Sequence, residues 1–223
     1  MTYTKLKVGH SVNHKEIIAY ANNTCTDNYI YLIAGVHGDE PEGVFILDKL
    51  FSWLKIQNLA KPTIVIPVIN PDGLALNTRV NGNAIDLNRN WPSSSWSKEF
   101  VESRYNPGTS PLSEPENIFL YDLFKQFKPS IIFSFHTWHP MLDHNLHAKQ
   151  VAHYLAKYNN YQVVDYIGYP TPGSLGSYVD EVLNCGIITY ELPAASSKLS
   201  MDDIWLNNAT ALQNYFLNFP ELT

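Results

Sequence analysis

The chain has 223 residues, of which 45% are hydrophobic and 16% charged, and its formal net charge is −6 at pH 7. This length is sufficient for one domain with a sizeable core. The composition offers no basic footprint for nucleic acid, and no apolar run reaches the roughly 18 residues that would indicate a membrane span.

The apolar pattern predicts strands that alternate with helices along the chain. Strand-like runs cover Ile17–Tyr20, Ile30–Val36, Thr63–Ile69, Ser130–Phe135, Gln162–Tyr166 and Ile187–Tyr190. Helical spacing covers Glu42–Leu59, Glu114–Phe127, Leu146–Tyr158, Ser174–Leu183 and Asp202–Leu217. This alternation predicts a single α/β domain over residues 1–223, with helices on both faces of a mixed, mainly parallel sheet.

A long polar segment interrupts the alternation between Asn70 and about Ser113. It is rich in Asn, Pro and Gly and shows no periodicity. Because structureless loops of this length are uncommon in compact domains, the segment is expected to carry function.

The pair His37 and Glu40 follows the strand-like run Ile30–Val36 at a spacing of three residues. A histidine and a carboxylate at this spacing can bind one metal ion. Alone the pair is equally typical of an acidic helix N-terminus.

Two further strand-like runs also end in chemically capable residues. Ser130–Phe135 precedes His136, and Ile187–Tyr190 precedes Glu191. Ligands bind at the carboxyl ends of strands in open α/β sheets, so these residues are expected to converge with His37 and Glu40. Two histidines and one carboxylate make a three-ligand zinc site, and Glu191 remains as a general base. His139 is an alternative to His136, which we prefer because it directly follows the strand.

Two arginines stand out in the polar segment, Arg79 and Arg89. A guanidinium suits a carboxylate or a developing oxyanion. The alternative is that each arginine pairs with Asp72 or Asp86 within the segment.

Together these residues resemble the zinc carboxypeptidases, the M14 metallopeptidases. The resemblance covers residues from about 30 to 193 in order. Its motifs are His37-x-x-Glu40, Asn70-Pro-Asp-Gly73, Arg79, Asp86-Leu-Asn-Arg-Asn-Trp91, Ser113-Glu-Pro-Glu116, His136 and Thr189-Tyr-Glu191. The nearest branch is similar to the bacterial murein peptide amidases.

The resemblance implies a role for each matching residue. Its metal ligands correspond to His37, Glu40 and His136, holding one Zn²⁺, and its general base corresponds to Glu191. The arginine that polarises the scissile carbonyl corresponds to Arg79. The groups that bind the terminal carboxylate correspond to Asn88 and Arg89. The acid that orients the first histidine corresponds to Asp86. The mobile tyrosine corresponds to Tyr169.

The branch resemblance implies a substrate, L-Ala-γ-D-Glu-meso-diaminopimelate, cut between γ-D-Glu and diaminopimelate. The chain is shorter than the digestive carboxypeptidases. The position that would set side-chain specificity falls near Gly176. Glycine has no side chain, so this position does not indicate which substrate group is bound. A small peptide with a free carboxylate is therefore the expected partner, and the oligomeric state is open.

Two other functions remain alternatives. One is an N-acyl amino acid deacylase of the aspartoacylase and succinylglutamate desuccinylase type, which shares the His-Gly-x-Glu motif and the Asp-Leu-Asn-Arg stretch. The other is a non-catalytic peptide-binding protein with a relic site, whose mark would be a missing ligand or base.

Two features predict a reducing, cytoplasmic setting. The cysteines are Cys25 and Cys185, and nothing in the sequence demands a disulfide. Residues 1–8 lack the apolar core of a signal peptide.

Overall fold

A computed structural model describes residues 2–22, 28–57, 59 and 61–219. Within these residues eight strands form one mixed sheet, with the order β1-β2-β4-β3-β5-β8-β6-β7. The strands are β1 (Thr4–His10), β2 (Glu16–Ala21), β3 (Tyr29–Ile33), β4 (Thr63–Ile66), β5 (Pro129–Trp138), β6 (Met141–His144), β7 (Gln162–Val164) and β8 (Gly186–Pro193).

The centre of the sheet is parallel, because β4, β3, β5 and β8 pair in the same direction. Towards the edges, β1 and β2 pair antiparallel, and β6 runs antiparallel to β8. The predicted fold class is therefore confirmed.

Helices cover both faces of this sheet. They are α1 (Pro41–Ile56), α2 (Pro71–Leu76), α3 (Pro115–Gln126), α4 (Lys149–Asn159), α5 (Leu175–Tyr178) and α6 (Met201–Asn218). One core lies beneath α1, α4 and α6, and a second core on the other face includes α3 and the start of α5. None of these helices is long and apolar enough to span a membrane.

The first long helix illustrates why these elements form. Pro41 begins α1 with a fixed φ suited to the first helical turn. Apolar residues then recur at helical spacing and are buried at Ile46, Leu47, Leu50 and Leu54. Burying each such side chain contributes about 1.5–3 kcal/mol, which holds the helix start, and with it Glu40, against the sheet.

The structure corrects several predicted boundaries. The strand before His37 ends at Ile33, whereas β5 and β8 continue through His136 and Glu191. The sequence pattern missed β1 and β6 because their alternation is short or broken by a bulge. The first long helix ends at Ile56 and not at the predicted Leu59. Asn58 and Cys25 lie outside the described residues.

The polar segment 70–113 is not structureless, contrary to expectation. It contains α2 and two short 3₁₀ turns, Leu87–Arg89 and Ser103–Tyr105. Side chains supply much of its bonding: the Asn81 amide donates to Glu114 and Glu116 at 2.7 and 3.0 Å. Hydrogen bonds made by side chains leave no periodic pattern in the sequence, so the ordered structure of this segment could not be predicted from periodicity.

Candidate metal centre and active site

Three predicted metal ligands meet at the carboxyl ends of β3 and β5. His37 Nδ1 lies 2.8 Å from Glu40 Oε1, and His136 Nδ1 lies 2.9 Å from Glu40 Oε2. The two Nδ1 atoms are 3.2 Å apart. Among the residues that the structure describes, this is the one His, Cys, Asp and Glu cluster compact enough to hold a metal ion.

The outer nitrogens of both histidines are already bonded. His37 Nε2 lies 3.2 Å from Asp86 Oδ1, and His136 Nε2 lies 3.0 Å from Ser134 Oγ. A proton on each Nε2 leaves the Nδ1 lone pairs pointing at one place, as in metal-ligating histidines oriented by an oxygen partner. Ligands about 2.0–2.2 Å from a tetrahedral zinc ion lie roughly 3.3 Å from each other, so the donor set fits zinc.

The electrostatics agree with a site built around a cation. Burial lowers the pKa of His37, but the Glu40 and Asp86 carboxylates outweigh burial and raise it to about 8. Burial opposes ionisation of Glu40, yet His37 and His136 hold its pKa well below the usual range. Burial lowers the pKa of His136. The carboxylates of Glu40 and Asp86 thus favour a positive charge where these donors meet.

The Asn70-Pro-Asp-Gly73 motif supports the loop that carries His37 through hydrogen bonds to its backbone. Asn70 accepts a bond from Gly73 N at 2.8 Å, and its backbone N–H donates to Gly35 O at 2.8 Å. Its amide also donates to Val36 O at 3.3 Å. A Cβ on Gly38 would lie 1.9 Å from the carbonyl carbon of Gly73, so the two backbones touch here and glycine is required.

Glu191 lies beside the ligand cluster. It is the register partner of His136 on the neighbouring parallel strand, and its side chain is 5% exposed. Burial, assisted by the charge of Glu40, raises the pKa of Glu191 to about 8. Within the described residues the carboxyl group makes no hydrogen bond, so it is free to exchange a proton with a ligand.

Arg79 is held next to the cluster by two acids. Its Nε donates to Asp86 Oδ2 at 2.9 Å, and Nη1 is 3.6 Å from Glu40 Oε1. The carboxylate of the fully buried Asp86 therefore links Arg79 to His37. The same carboxylate accepts a hydrogen bond from the backbone N–H of Asn88 at 2.8 Å. The alternative pairing of Arg79 with Asp86 occurs, and Arg79 also lies beside the candidate metal ligand Glu40.

Arg89 and Asn88 are arranged differently. The Arg89 guanidinium is 4% exposed, and Nη1 donates to the carbonyl of Asn88 at 2.7 Å. It forms no salt bridge with any carboxylate in the described part of the chain. Asn88 Oδ1 accepts from Leu175 N at 2.9 Å, which ties this turn to the start of α5 and leaves the Asn88 amide nitrogen towards the cavity.

One cavity of about 750 Å³ is lined by the candidate metal ligands and by Glu191, Arg79, Asn88 and Arg89. Tyr169 lies at its rim, 37% exposed, with its ring edge-on to Trp138 at 5.6 Å. Burial raises the pKa of Tyr169 even though Arg89 and Arg79 lower it. Gly176 also lines the cavity, and the same wall carries the acids Asp143, Asp165 and Asp180.

The structure separates the two candidate histidines. His136 is buried within the cluster, whereas His139 is exposed and stacks near Trp138 at 4.7 Å. The sequence reasoning missed Ser134, which shares a strand face with His136, and Tyr105, whose ring contacts the arginines. A period-two reading of β5 would have pointed to Ser134, but no local pattern indicated Tyr105.

The sequence of the chain matches a known family. The model of the succinylglutamate desuccinylase/aspartoacylase catalytic domain matches residues 26–217. Murein peptide amidase A of Escherichia coli strain K12 is 34% identical over 177 residues, which cover 74% of this chain and 72% of that protein.

Solved structures show the same fold. The crystal structure of murein-tripeptide amidase MpaA from Escherichia coli O157 has a TM-score of 0.81 and 28% identity, and covers all of this chain and 94% of that chain. Carboxypeptidase A from Helicoverpa armigera has a TM-score of 0.75 at 17% identity, covering 94% of this chain and 66% of that chain. The expected zinc carboxypeptidase-like fold is thereby confirmed.

Proposed function

Because the chain belongs to the succinylglutamate desuccinylase/aspartoacylase family of hydrolases and is related to murein peptide amidase A, we propose that it is a zinc-dependent amidase. Its substrate would be murein tripeptide, L-Ala-γ-D-Glu-meso-diaminopimelate. The bond cut would be the amide between γ-D-Glu and diaminopimelate, as in peptidoglycan recycling.

One arrangement carries this proposal. A three-donor cluster, the buried carboxyl group of Glu191 and the buried guanidinium of Arg89 line the same cavity. Among the residues that the structure describes, the carboxyl group has no hydrogen-bond partner and the guanidinium has no acid partner. Amide hydrolysis next to a free carboxylate needs these three elements: an electrophilic centre, a proton carrier and an anion-binding group.

The metal would be held by His37, Glu40 and His136. When bound, zinc supplies Lewis-acid activation of water and of the amide carbonyl. Asp86 and Ser134 keep the two Nδ1 atoms turned inward by bonding the opposite nitrogens. The relic alternative loses support, since every ligand and the base are present in one place.

Glu191 carries the proton in this mechanism. Its carboxylate takes a proton from the attacking water and delivers it to the nitrogen of the leaving amine, so water is added across the amide and no proton is lost. The buried surroundings that raise the pKa of Glu191 favour this exchange, because a carboxyl group with a pKa near neutrality can both accept and donate.

Arg79 stabilises charge on the reacting carbonyl oxygen. Its Nε is committed to Asp86, whereas Nη1 lies near Glu40 and His37, beside the place where the carbonyl would bind. A fixed cation there favours the oxyanion over the neutral carbonyl.

Arg89 and Asn88 bind the free carboxylate of the residue that is released. The guanidinium is buried, carries no protein carboxylate among the described residues, and can form a bidentate pair. The acids Asp143, Asp165 and Asp180 on the same cavity would face the distant amine of diaminopimelate. A free tripeptide substrate is consistent with the cytoplasmic location expected from the sequence.

An N-acyl amino acid deacylase is the second candidate, because the matching family model is named for such enzymes. Deacylases and peptide amidases share the metal centre chemistry and differ in the acyl group accepted. The related murein peptide amidase A and the cavity of about 750 Å³, large for a simple acyl amino acid, favour the tripeptide.

One experiment separates the candidates. The purified protein, loaded with zinc, is incubated with murein tripeptide, with ordinary C-terminal dipeptides, with N-acetyl-aspartate and with N-succinyl-glutamate, and products are identified by mass spectrometry. We expect free diaminopimelate from the tripeptide. Cleavage confined to the acyl amino acids would instead assign the deacylase function.

A further inference from the structure

Three arginine side chains surround one tyrosine ring at the cavity wall. The Cζ atoms of Arg79, Arg89 and Arg104 lie 5.3, 5.5 and 5.4 Å from the centroid of Tyr105. All four residues line the cavity that contains the metal centre. Cations are attracted to the face of an aromatic ring, so the Tyr105 ring offsets part of the repulsion among these three positive charges.

These arginines differ in how their charge is compensated. Arg79 is paired with Asp86 at 2.9 Å and lies 3.6 Å from Glu40. Neither Arg89 nor Arg104 comes within salt-bridge distance of a carboxylate anywhere in residues 2–22, 28–57, 59 and 61–219. Two uncompensated guanidinium groups on one cavity indicate a ligand with two anionic groups.

The proposed reaction already assigns a carboxylate to Arg89 but leaves Arg104 without one. The two differ in depth: Arg89 is buried, whereas Arg104 is exposed at the mouth. An enzyme that releases a terminal residue holds that residue at depth, and the acyl part of the substrate then extends towards the mouth. Arg104 is therefore on the path of the acyl group.

Resting on the proposed function, we propose that Arg104 binds a second carboxylate on the acyl side of the scissile amide and so selects γ-linked glutamyl substrates. In an ordinary peptide the main-chain carboxyl group of the acyl residue is itself the reacting carbonyl, and no free acid remains there. In a γ-linked glutamate the reacting carbonyl belongs to the side chain, so the α-carboxylate is free. Arg104 thus acts as a specificity determinant for the linkage.

The test compares three tripeptides that differ by one group each. They are L-Ala-γ-D-Glu-meso-diaminopimelate, its form with the α-carboxylate of D-Glu amidated, and the form with L-Lys in place of diaminopimelate. For the wild type we expect kcat/KM to fall about tenfold or more on amidation, the scale of losing a hydrogen bond to a charged group.

The variant Arg104→Gln should lose this discrimination. Its kcat/KM on the acid should fall to the wild-type value on the amide, while its kcat/KM on the amide stays unchanged. Arg104→Lys keeps the charge and should retain part of the preference. Lys125→Gln is the matched control, because Lys125 stacks on Tyr121 at 5.2 Å on α3, outside the cavity lining, and it should behave as wild type.

Other outcomes would overturn the inference. Equal wild-type rates on the tripeptide and on its D-Glu α-amide would show that no site binds a carboxylate on the acyl side. An Arg104→Gln variant that instead loses its preference for diaminopimelate over lysine would assign Arg104 to the far carboxylate of the leaving residue. If the wild type cleaves none of the three but cleaves acyl amino acids, the proposed function itself fails, a result distinct from failure of the Arg104 assignment.

Discussion

His136 and Glu191 are directly opposite each other on the adjacent parallel strands β5 and β8. Register partners on parallel strands present their side chains to the same face of the sheet. The backbone pairing alone therefore puts a candidate metal ligand beside a candidate general base. Along each strand this face changes from apolar to polar, with Ile132, Ser134 and His136 on one and Ile187, Thr189 and Glu191 on the other.

His136→Ala should lose stoichiometric zinc, whereas His139→Ala should keep it. His136 supplies a buried Nδ1 to the cluster, and His139 is exposed outside it. Loss of a direct ligand should reduce zinc affinity by more than the ~10–100-fold that accompanies loss of an outer partner. Elemental analysis after dialysis measures this, and the reverse pattern would mean that His139 is the ligand.

Glu191→Gln should preserve the fold and the bound zinc but reduce kcat by at least ~10²-fold, the usual scale for general acid–base catalysis. The amide has nearly the same shape, and Glu191 makes no hydrogen bond within the described residues that the substitution would break, yet the amide cannot carry the proton. Steady-state kinetics with a parallel zinc measurement test this. Near-normal turnover would exclude Glu191 as the base.

Arg79→Gln should lower kcat by about 10²–10³, the effect of removing one oxyanion donor. Some stability should also be lost, since Asp86 is fully buried and would keep only His37 and backbone partners. Comparing kcat and KM separates the roles. A change confined to KM would make Arg79 a group that binds the substrate in its ground state.

The metal-free protein should become less stable as pH rises from about 6.5 towards 8. In the folded state burial raises the pKa of Glu191 from 4.5 to about 8, so over this window the folded chain retains a proton that the unfolded chain has released. The free energy of unfolding then falls by up to ~1.4 kcal/mol per pH unit. His37, whose pKa is raised from 6.5 to about 8, adds a loss of the same sign. Below about pH 6.5 His136 contributes the opposite sign, because burial lowers its pKa.

Chemical denaturation of chelator-treated protein at several pH values measures this slope. Glu191→Gln should remove the Glu191 part of it and leave the part from His37. A wild-type slope of the opposite sign between pH 6.5 and 8 would contradict the argument.

The protein should prefer γ-D-Glu-meso-diaminopimelate over γ-D-Glu-L-Lys by orders of magnitude in kcat/KM, since polar groups built to bind the far end would be left unpaired. Amidating the carboxylate of diaminopimelate that lies next to the scissile amide, the group assigned to Arg89, should abolish cleavage. Arg89→Lys should be nearly as harmful, because lysine lacks the bidentate fork. Equal rates on the lysine and diaminopimelate peptides would indicate a general carboxypeptidase.

The α/β alternation and the types of residue at the candidate site could be predicted without coordinates. Helical and strand periodicities are local, and His37 and Glu40 are held three residues apart by one short turn, so both could be recognised without coordinates. The succession of motifs from His37 to Glu191 also identified the family resemblance, because it depends on order and spacing alone.

Which side chains lie together depends on the tertiary structure. The sequence favoured His136 over His139 only by its place after a strand, and the structure adds that His136 is buried against Glu40 and that the Ser134 hydroxyl bonds its ring. The grouping of Arg79, Arg89 and Arg104 depends on Tyr105, and the free charge of Arg104 depends on the absence of nearby acids among the described residues. These contacts join segments that are distant in the chain. They depend on side-chain packing and hydrogen bonds, which produce no periodic pattern in the sequence.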